Sequence, residues 1–265
     1  VIVPDPGFPT YFSAIKACSA KAVPVALKEK NKHQLKFGDV KKLITDKTKL
    51  IIINSPSNPT GALTSKEDIS QIYELCAKKG IYILSDEIYS RSVFGDNGEF
   101  FSPSMIDHCK NNVIVLNGFS KAFAMTGWRI GVAIGPKHLI EKMGLLLQTI
   151  NSCVPVFTQK AAIEAINGDQ SAVTMMKDEY SERRKVLVSG LNSINGIRCE
   201  LPSGSIYAFA NVSGLGMTGE EFAKKCKPML LATNLRSAQE ILDYSKNYFL
   251  ARTSYRPKFE KDFKK

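Results

Sequence analysis

Histidine is scarce in this sequence, with three residues in 265, and the six cysteines lie far apart from one another. Zinc sites and disulfide frameworks both need ligands or partners at short, recurring spacings. We therefore expect no metal site and no disulfide framework. Unpaired cysteines are typical of a reducing compartment, and we predict a cytoplasmic protein.

Long hydrophobic runs are also missing. No apolar stretch approaches the roughly 20 residues that a membrane-spanning helix needs, and no secretory signal is visible. With 44% hydrophobic and 23% charged residues, the composition is that of a soluble globular protein without a membrane partner. A chain of this length buries a substantial core, and we expect one larger and one smaller lobe.

Acidic residues are outnumbered, with 25 aspartates and glutamates against 36 lysines and arginines, so the net charge is +11. A basic chain can bind nucleic acid. The lysines here are dispersed through predicted helices, however, and form no basic arm with interleaved aromatic residues. We therefore expect no nucleic-acid partner and favour a small anionic ligand.

Short apolar segments alternate with segments of helical periodicity through the first two thirds of the chain. Continuous apolar strands separated by helices predict a mainly parallel sheet covered by helices on both faces, an α/β fold. One predicted helix has Thr64 and Glu67 at the spacing of a capping box and Gly80 as its stop. The predicted strands begin at Val1, Ala22, Lys49, Ile81, Asn112 and Trp128.

The pattern changes from Pro136 onward, where long helical segments are followed by two short strands, a helix and a last strand that contains Arg252. This order is typical of a small α+β lobe. We predict a large α/β domain over residues 1–175 and a small C-terminal domain over residues 176–265.

Polar residues follow three of the predicted strands. Asn58 comes after the strand that begins at Lys49. Asp86 ends the strand that begins at Ile81, and Tyr89 follows it. Ser120 and Lys121 come after the strand that begins at Asn112. Ligands of open α/β sheets bind at the carboxyl ends of the strands, so parallel strands would bring these side chains to one edge. The sequence therefore predicts a ligand site there.

Arg129 joins this site only if the strand that begins at Trp128 runs antiparallel to its neighbour, which the short link over residues 122–127 permits. An amine, a carboxylate, a phenol and a guanidinium suit a flat, phosphorylated heteroaromatic aldehyde. The lysine bonds covalently to the aldehyde, the carboxylate keeps a pyridine nitrogen protonated, and the arginine binds the phosphate.

Three motifs carry a resemblance to a known family: SPSNPTG at residues 55–61, SDEIY at residues 85–89 and GFSKAFAMTGWRIG at residues 118–131. In order and approximate spacing the chain resembles the class I/II aminotransferases of pyridoxal-phosphate fold-type I, from Val1 to about Tyr255. The resemblance implies transfer of an amino group between an L-amino acid of aspartate, alanine or aromatic type and a 2-oxo acid such as 2-oxoglutarate. It also implies pyridoxal phosphate as cofactor, and a homodimer.

The resemblance assigns a role to each matching residue. Lys121 corresponds to the lysine that binds the cofactor covalently and moves the proton at the substrate α-carbon. Asp86 corresponds to the partner of the pyridine nitrogen. Asn58 and Tyr89 correspond to donors to the ring hydroxyl oxygen, and Arg129 to the phosphate ligand.

Further assignments concern the edges of the site. Phe8 is similar to an aromatic residue that stacks on the cofactor ring, and Arg252 to the arginine that binds the substrate α-carboxylate, although Arg256 competes for that role and Asn58 also faces the substrate. Family members often carry a hydroxyl residue three positions before the lysine. Gly118 stands there in this chain, and Ser120 is the nearest replacement.

Each of these residues also has a plain structural interpretation. Lys121 or Arg252 would then be a solvated surface residue, Asp86 a helix cap, Tyr89 and Asn58 turn residues, and Phe8 a core aromatic. The three motifs in order favour the functional interpretation for the lysine above all.

The chain departs from the family at its beginning, because members carry a further N-terminal stretch whose helix binds the cofactor phosphate. We therefore expect the chain as written to bind pyridoxal phosphate weakly, and a version extended upstream of Val1 to bind it firmly as a homodimer. Two alternatives stay open. One is another reaction on the same fold, such as a carbon-sulfur lyase or a racemase, and the other is a non-catalytic sensing module.

Overall fold

The structure, a computed structural model, describes residues 1–95, 99–231 and 248–252. Within them, six strands form one sheet in the order β2-β1-β3-β4-β5-β6, and three form a second sheet in the order β7-β8-β9. The strands are β1 (Ile2–Asp5), β2 (Val23–Ala26), β3 (Leu50–Asn54), β4 (Tyr82–Asp86), β5 (Val113–Gly118), β6 (Gly131–Ile134), β7 (Arg198–Cys199), β8 (Tyr207–Asn211) and β9 (Tyr248–Arg252).

Eight α-helices accompany these strands in the described ranges. None of them is long and apolar enough to cross a membrane. They are α1 (Pro9–Ala17), α2 (Phe37–Leu43), α3 (Lys66–Lys79), α4 (Ser104–Asp107), α5 (Lys137–Asn151), α6 (Val156–Asn167), α7 (Ser171–Asn192) and α8 (Gly219–Leu231).

The large sheet is mainly parallel. Strands β1 to β5 all run in the same direction, and β6 returns antiparallel to β5, with Val115 opposite Ile134 and Gly118 opposite Gly131. The predicted α/β fold and the predicted antiparallel return are therefore confirmed. Because β6 runs backwards, its first residues lie at the same edge of the sheet as the carboxyl ends of β3, β4 and β5.

In the middle of this sheet, β1 and β3 are buried on both faces, which is why these strands are almost continuously apolar. Along β3, Ile51 and Ile53 pack with Ile72 of α3 on one face, while Ile52 packs with Ile15 of α1 on the other. Complete burial of such a side chain contributes about 1.5 to 3 kcal/mol. The buried middle of the sheet thus holds the residues at the carboxyl ends of its strands in fixed positions.

Helix α3 begins one residue later than the sequence pattern indicates. The cap is Ser65, whose Oγ accepts a hydrogen bond from the backbone N of Asp68 at 3.2 Å, so the prediction of Thr64 and Glu67 as the capping pair was wrong. Thr64 is buried instead, and the Thr64 N donates to the Ser55 Oγ. Gly80 ends the helix in the left-handed conformation, as predicted.

The second sheet is antiparallel and lies in the C-terminal part of the chain. Strand β8 pairs with β7 on one side and with β9 on the other, and Arg252 lies opposite Tyr207 in that register. Val188 of α7 packs against β7 and β8. The predicted domain boundary after residue 175 falls within α7 and stays a prediction.

Candidate functional site

A cleft of about 580 Å³ lies at the carboxyl ends of β3, β4 and β5. It contains every predicted site residue except Arg252, whose side chain is outside the described part of the structure, as is Arg256 entirely. The topology explains why these residues lie together, because the ends of neighbouring parallel strands meet at one edge of the sheet. The predicted residues that line the cleft are Phe8, Asn58, Asp86, Tyr89, Ser120, Lys121 and Arg129.

Asp86 is the last residue of β4, and its carboxylate accepts two hydrogen bonds. The Tyr11 hydroxyl donates to Oδ2 at 2.5 Å, and the backbone N of Ile88 donates to Oδ1 at 3.2 Å. Burial raises the pKa of Asp86, and these hydrogen bonds oppose the rise. No helix begins at Asp86, so the carboxylate closes a turn and faces the cleft.

Lys121 follows β5 in a turn closed by the Ala124 N, which donates to the Lys121 carbonyl at 3.3 Å. Its Nζ lies 5.9 Å from the centre of the Tyr89 ring, and the side chain is half-buried. An aromatic face attracts an ammonium at this distance. The amine thus lies over Tyr89 at a half-buried position in the cleft, which does not fit a fully solvated surface lysine.

Asn58 lies in the turn after β3, and its backbone N donates to the Asn54 Oδ1 at 2.7 Å. Asn54 also donates from Nδ2 to the Asp86 carbonyl at 3.2 Å. It is therefore Asn54 that fixes this turn to the neighbouring strand. The Asn58 amide is directed into the cleft, where its Nδ2 donates to the Tyr207 hydroxyl at 3.5 Å.

Arg129 lies just before β6, in the left-handed conformation with φ of 52°. Such a conformation costs roughly 1 to 2 kcal/mol for a residue other than glycine and often marks a functional position. The guanidinium donates from Nη1 to the Thr126 carbonyl at 3.1 Å and is exposed at the mouth of the cleft. It is placed to bind an anion that enters.

Phe8 lies at the rim, directly before α1. Its ring contacts that of Tyr11 edge to face, with 5.6 Å between the centres and 84° between the planes. The side chain is 36% exposed, which does not fit a core aromatic. The ring thus lies partly in solvent where it lines the cleft.

Two tyrosines that line the cleft, Tyr11 and Tyr207, were not predicted from the sequence. Tyr11 lies three residues after Phe8, and the helical spacing of the two was a usable signal. Tyr207 comes from β8, 118 residues after Tyr89, and its hydroxyl lies 2.8 Å from the Tyr89 hydroxyl. No local pattern connects residues that far apart in sequence.

These features define a class: an α/β protein whose cleft offers an amine, a carboxylate, phenols and a guanidinium to an anionic, aromatic carbonyl compound. A sequence profile described as "Aminotransferase class I and II" matches residues 1–256. The chain belongs to the class I and II aminotransferase family, and the predicted family is confirmed.

Individual relatives agree with this assignment. The chain is 40% identical over 226 residues to a protein named aspartate aminotransferase from Pyrococcus horikoshii, covering 84% of this chain and 57% of the relative. It is 37% identical over 227 residues to aromatic-amino-acid aminotransferase 2 from Thermococcus litoralis, covering 84% and 58%. The chain thus spans less than two thirds of the length of these relatives.

Solved structures show the same fold. The aromatic aminotransferase from Pyrococcus horikoshii OT3 superposes with a TM-score of 0.84 at 32% identity, over 96% of this chain and 68% of the other. The aspartate aminotransferase from Thermus thermophilus with maleate gives a TM-score of 0.81 at 31% identity, over 86% and 59%. The mainly parallel sheet with flanking helices is therefore that of the aminotransferases.

Proposed function

We propose that the protein is a pyridoxal-phosphate-dependent aminotransferase, which moves an amino group between an L-amino acid and a 2-oxo acid such as 2-oxoglutarate. The observation that carries the proposal is the convergence of Asn58, Asp86 and Lys121, from three separate strands, on one cleft. The names of the relatives favour an amino acid of aspartate or aromatic type.

The donor set of the cleft fits this cofactor. Lys121 offers an amine to the aldehyde, Asp86 a carboxylate to the ring nitrogen, and Arg129 a guanidinium to the phosphate, with Ser120 beside it. When bound, the cofactor supplies an electron sink for the negative charge that develops at the substrate α-carbon.

The protein's own residues would orient the cofactor and move the proton. Asp86, held by Tyr11, keeps the ring nitrogen protonated, which matters most as charge develops on the substrate. Asn58 and Tyr89 donate hydrogen bonds to the ring hydroxyl oxygen. Lys121, over the Tyr89 ring, is the base that takes the proton from the α-carbon and returns it.

Substrate and ring contacts complete the proposal. Phe8 stacks on the cofactor, and Arg252 binds the substrate α-carboxylate. The strand register supports Arg252 over Arg256, because Arg252 lies opposite Tyr207, whose side chain lines the cleft.

We further propose a homodimer in the cytoplasm. Helices α5 and α6 carry large apolar side chains in solvent, such as Leu146 at 60% and Phe157 at 69% exposure, which supports a partner surface there. All six cysteines are free thiols, which supports a reducing compartment. Light scattering should give twice the mass of the chain; a monomer at micromolar concentration would contradict the dimer.

The test of the proposed function is Lys121→Ala. With the substitution, the visible absorption of the covalently bound cofactor and nearly all amino transfer should disappear. Lys79→Ala, at an exposed lysine that ends α3 and does not line the cleft, is the matched control and should keep both. Borohydride trapping followed by peptide mapping must identify Lys121; trapping at another lysine would disprove the assignment.

The reaction class is decided by the fate of the amino group. An aminotransferase passes isotopically labelled nitrogen from the amino acid to an added 2-oxo acid. A lyase releases that nitrogen as ammonia, and a racemase leaves it on the amino acid with the opposite configuration. A sensing module binds the cofactor and does none of these.

A further inference from the structure

Tyr207 reaches the candidate site from the second sheet. It is 9% exposed, and its hydroxyl lies 2.8 Å from the hydroxyl of Tyr89. The two rings meet edge to face, with 5.7 Å between their centres and 77° between their planes. Tyr207 is therefore packed as well as hydrogen bonded against a residue that the proposed function assigns to the cofactor.

The backbone before Tyr207 is attached to the wall of the cleft. The Gly204 N donates to the Gly61 carbonyl at 3.0 Å, and the Ser205 N donates to the Ser92 carbonyl at 2.8 Å. These bonds tie the start of β8 to the turn that carries Asn58 and to the segment that follows Tyr89. The position of the Tyr207 hydroxyl is consequently fixed relative to both.

Either hydroxyl of the Tyr89–Tyr207 pair can be the donor, and the neighbouring Asn58 amide bears on which of them is. The Asn58 amide donates to the Tyr207 oxygen, and a hydroxyl that accepts a hydrogen bond becomes a stronger donor because the chain of bonds is polarised. Under the proposed function the single hydroxyl proton of Tyr89 goes to the ring hydroxyl oxygen of the cofactor. Across the 2.8 Å contact Tyr89 must then accept, and Tyr207 must donate.

We propose that Tyr207 is a positioning residue, which donates to Tyr89 and so directs the Tyr89 hydroxyl proton at the ring hydroxyl oxygen of the cofactor. The inference rests on the proposed function, since it explains how the Tyr89 hydroxyl of the same site is oriented as a donor. Tyr207 itself contacts neither the cofactor nor the reacting atoms in this proposal.

The test compares two ligands, pyridoxal phosphate and the analogue that lacks the ring hydroxyl. If Tyr207 acts through Tyr89 on that oxygen, Tyr207→Phe weakens binding of pyridoxal phosphate about three- to tenfold, the value of one hydrogen bond. Binding of the analogue stays unchanged. The phenylalanine keeps the ring contact with Tyr89, so the fold is retained.

Two further variants sharpen the comparison. Tyr82→Phe removes a tyrosine hydroxyl that contacts His138 outside the cleft, and it should affect neither ligand. Replacing Tyr207 by a ring-fluorinated tyrosine, which is a stronger donor, should tighten binding of pyridoxal phosphate and leave that of the analogue unchanged. The fluorinated tyrosine should thus change the affinity for pyridoxal phosphate in the opposite direction to Tyr207→Phe, and it does so without removing the hydroxyl.

The outcomes separate the inference from the proposed function. An equal loss for both ligands in Tyr207→Phe, or no loss for either, would overturn the role of Tyr207 while the aminotransferase proposal stands. Failure of the wild-type protein to bind pyridoxal phosphate at all would overturn the proposed function and this inference with it.

Discussion

At the scale of single residues, the decisive feature is the contrast between two adjacent acids, Asp86 and Glu87. Asp86 faces the cleft, whereas the Glu87 carboxylate is buried elsewhere and accepts hydrogen bonds from the Ser85 Oγ at 2.9 Å and the Ser102 Oγ at 2.6 Å. Burial raises the pKa of both carboxyls, and the charge of Asp86 adds to the rise for Glu87. Only one of them is placed to meet a ligand in the cleft.

This contrast supplies a prediction for Asp86→Asn. An amide does not stabilise a protonated ring nitrogen as a carboxylate does, so amino transfer should fall by about two decades or more, while cofactor binding weakens less. Rates at saturating cofactor measure the effect. Glu87→Gln, the neighbouring control, should change the rate far less. A rate of Asp86→Asn close to that of the wild type would mean that Asp86 only closes a turn.

At the scale of elements, the junction of α2 and α3 is organised by Asp68 in the first turn of α3. Its carboxylate accepts from the Ser65 Oγ at 2.6 Å, from the backbone N of Phe37 at 2.9 Å, and from the Lys36 Nζ at 3.0 Å. Burial by itself raises the pKa of Asp68, but these contacts outweigh it and the net pKa is lowered. One side chain thus caps one helix and anchors the start of another.

We predict that Asp68→Asn lowers the free energy of unfolding by about 1 to 3 kcal/mol near neutral pH. A carboxyl with a lowered pKa in the fold stabilises it above its unfolded pKa of about 4, and this contribution disappears as the pH falls through the folded value. The difference between wild type and variant should therefore shrink as the pH falls below the unfolded pKa.

Urea unfolding at several pH values measures this difference. The control is Glu67→Gln, because Glu67 is an exposed carboxylate in the same helical turn, and we expect it to change stability by less than about 0.5 kcal/mol. An equal effect of the two substitutions would mean that helix charge alone, and not the contacts of Asp68, stabilises the junction.

At the scale of the whole molecule, the two sheets meet where the segment before β8 lies against the turn after β3. A Cβ on Gly204 would lie 2.5 Å from the Pro56 Cγ and 2.8 Å from the Ser92 carbonyl oxygen. The same segment holds Tyr207 in the cleft. Close backbone approach at one glycine therefore links the second sheet to the candidate active site.

Gly204→Ala should accordingly destabilise the protein by about 1 to 3 kcal/mol, because the added methyl group forces the two segments apart. It should also weaken cofactor binding by displacing Tyr207. The control is Gly190→Ala near the end of α7, where a Cβ meets no neighbour within 4 Å and the higher helix propensity of alanine should stabilise by up to about 1 kcal/mol. Thermal unfolding distinguishes the two, and a stabilising Gly204→Ala would disprove the close contact.

Much of the site follows from the sequence, because its main residues stand directly after apolar strands. The rule that parallel strands end at one edge then suffices to bring Asn58, Asp86 and Lys121 together, and the short link before Arg129 accounts for the antiparallel strand. The cap of α3 was missed by one residue, since Thr64 and Ser65 are both common cap residues and packing, which buries Thr64, selects between them.

The sequence by itself determined the class of fold, the succession of strands along the chain and the polar residues at the carboxyl ends of three of them, since these depend on local periodicity and on a general rule of topology. Only the tertiary structure decided which residues from distant segments complete the cleft. Tyr207 meets Tyr89 because backbone hydrogen bonds attach the second sheet to the first, and Tyr11 meets Asp86 because α1 packs across the sheet. Such contacts depend on how whole elements pack, and a short stretch of sequence does not predict them.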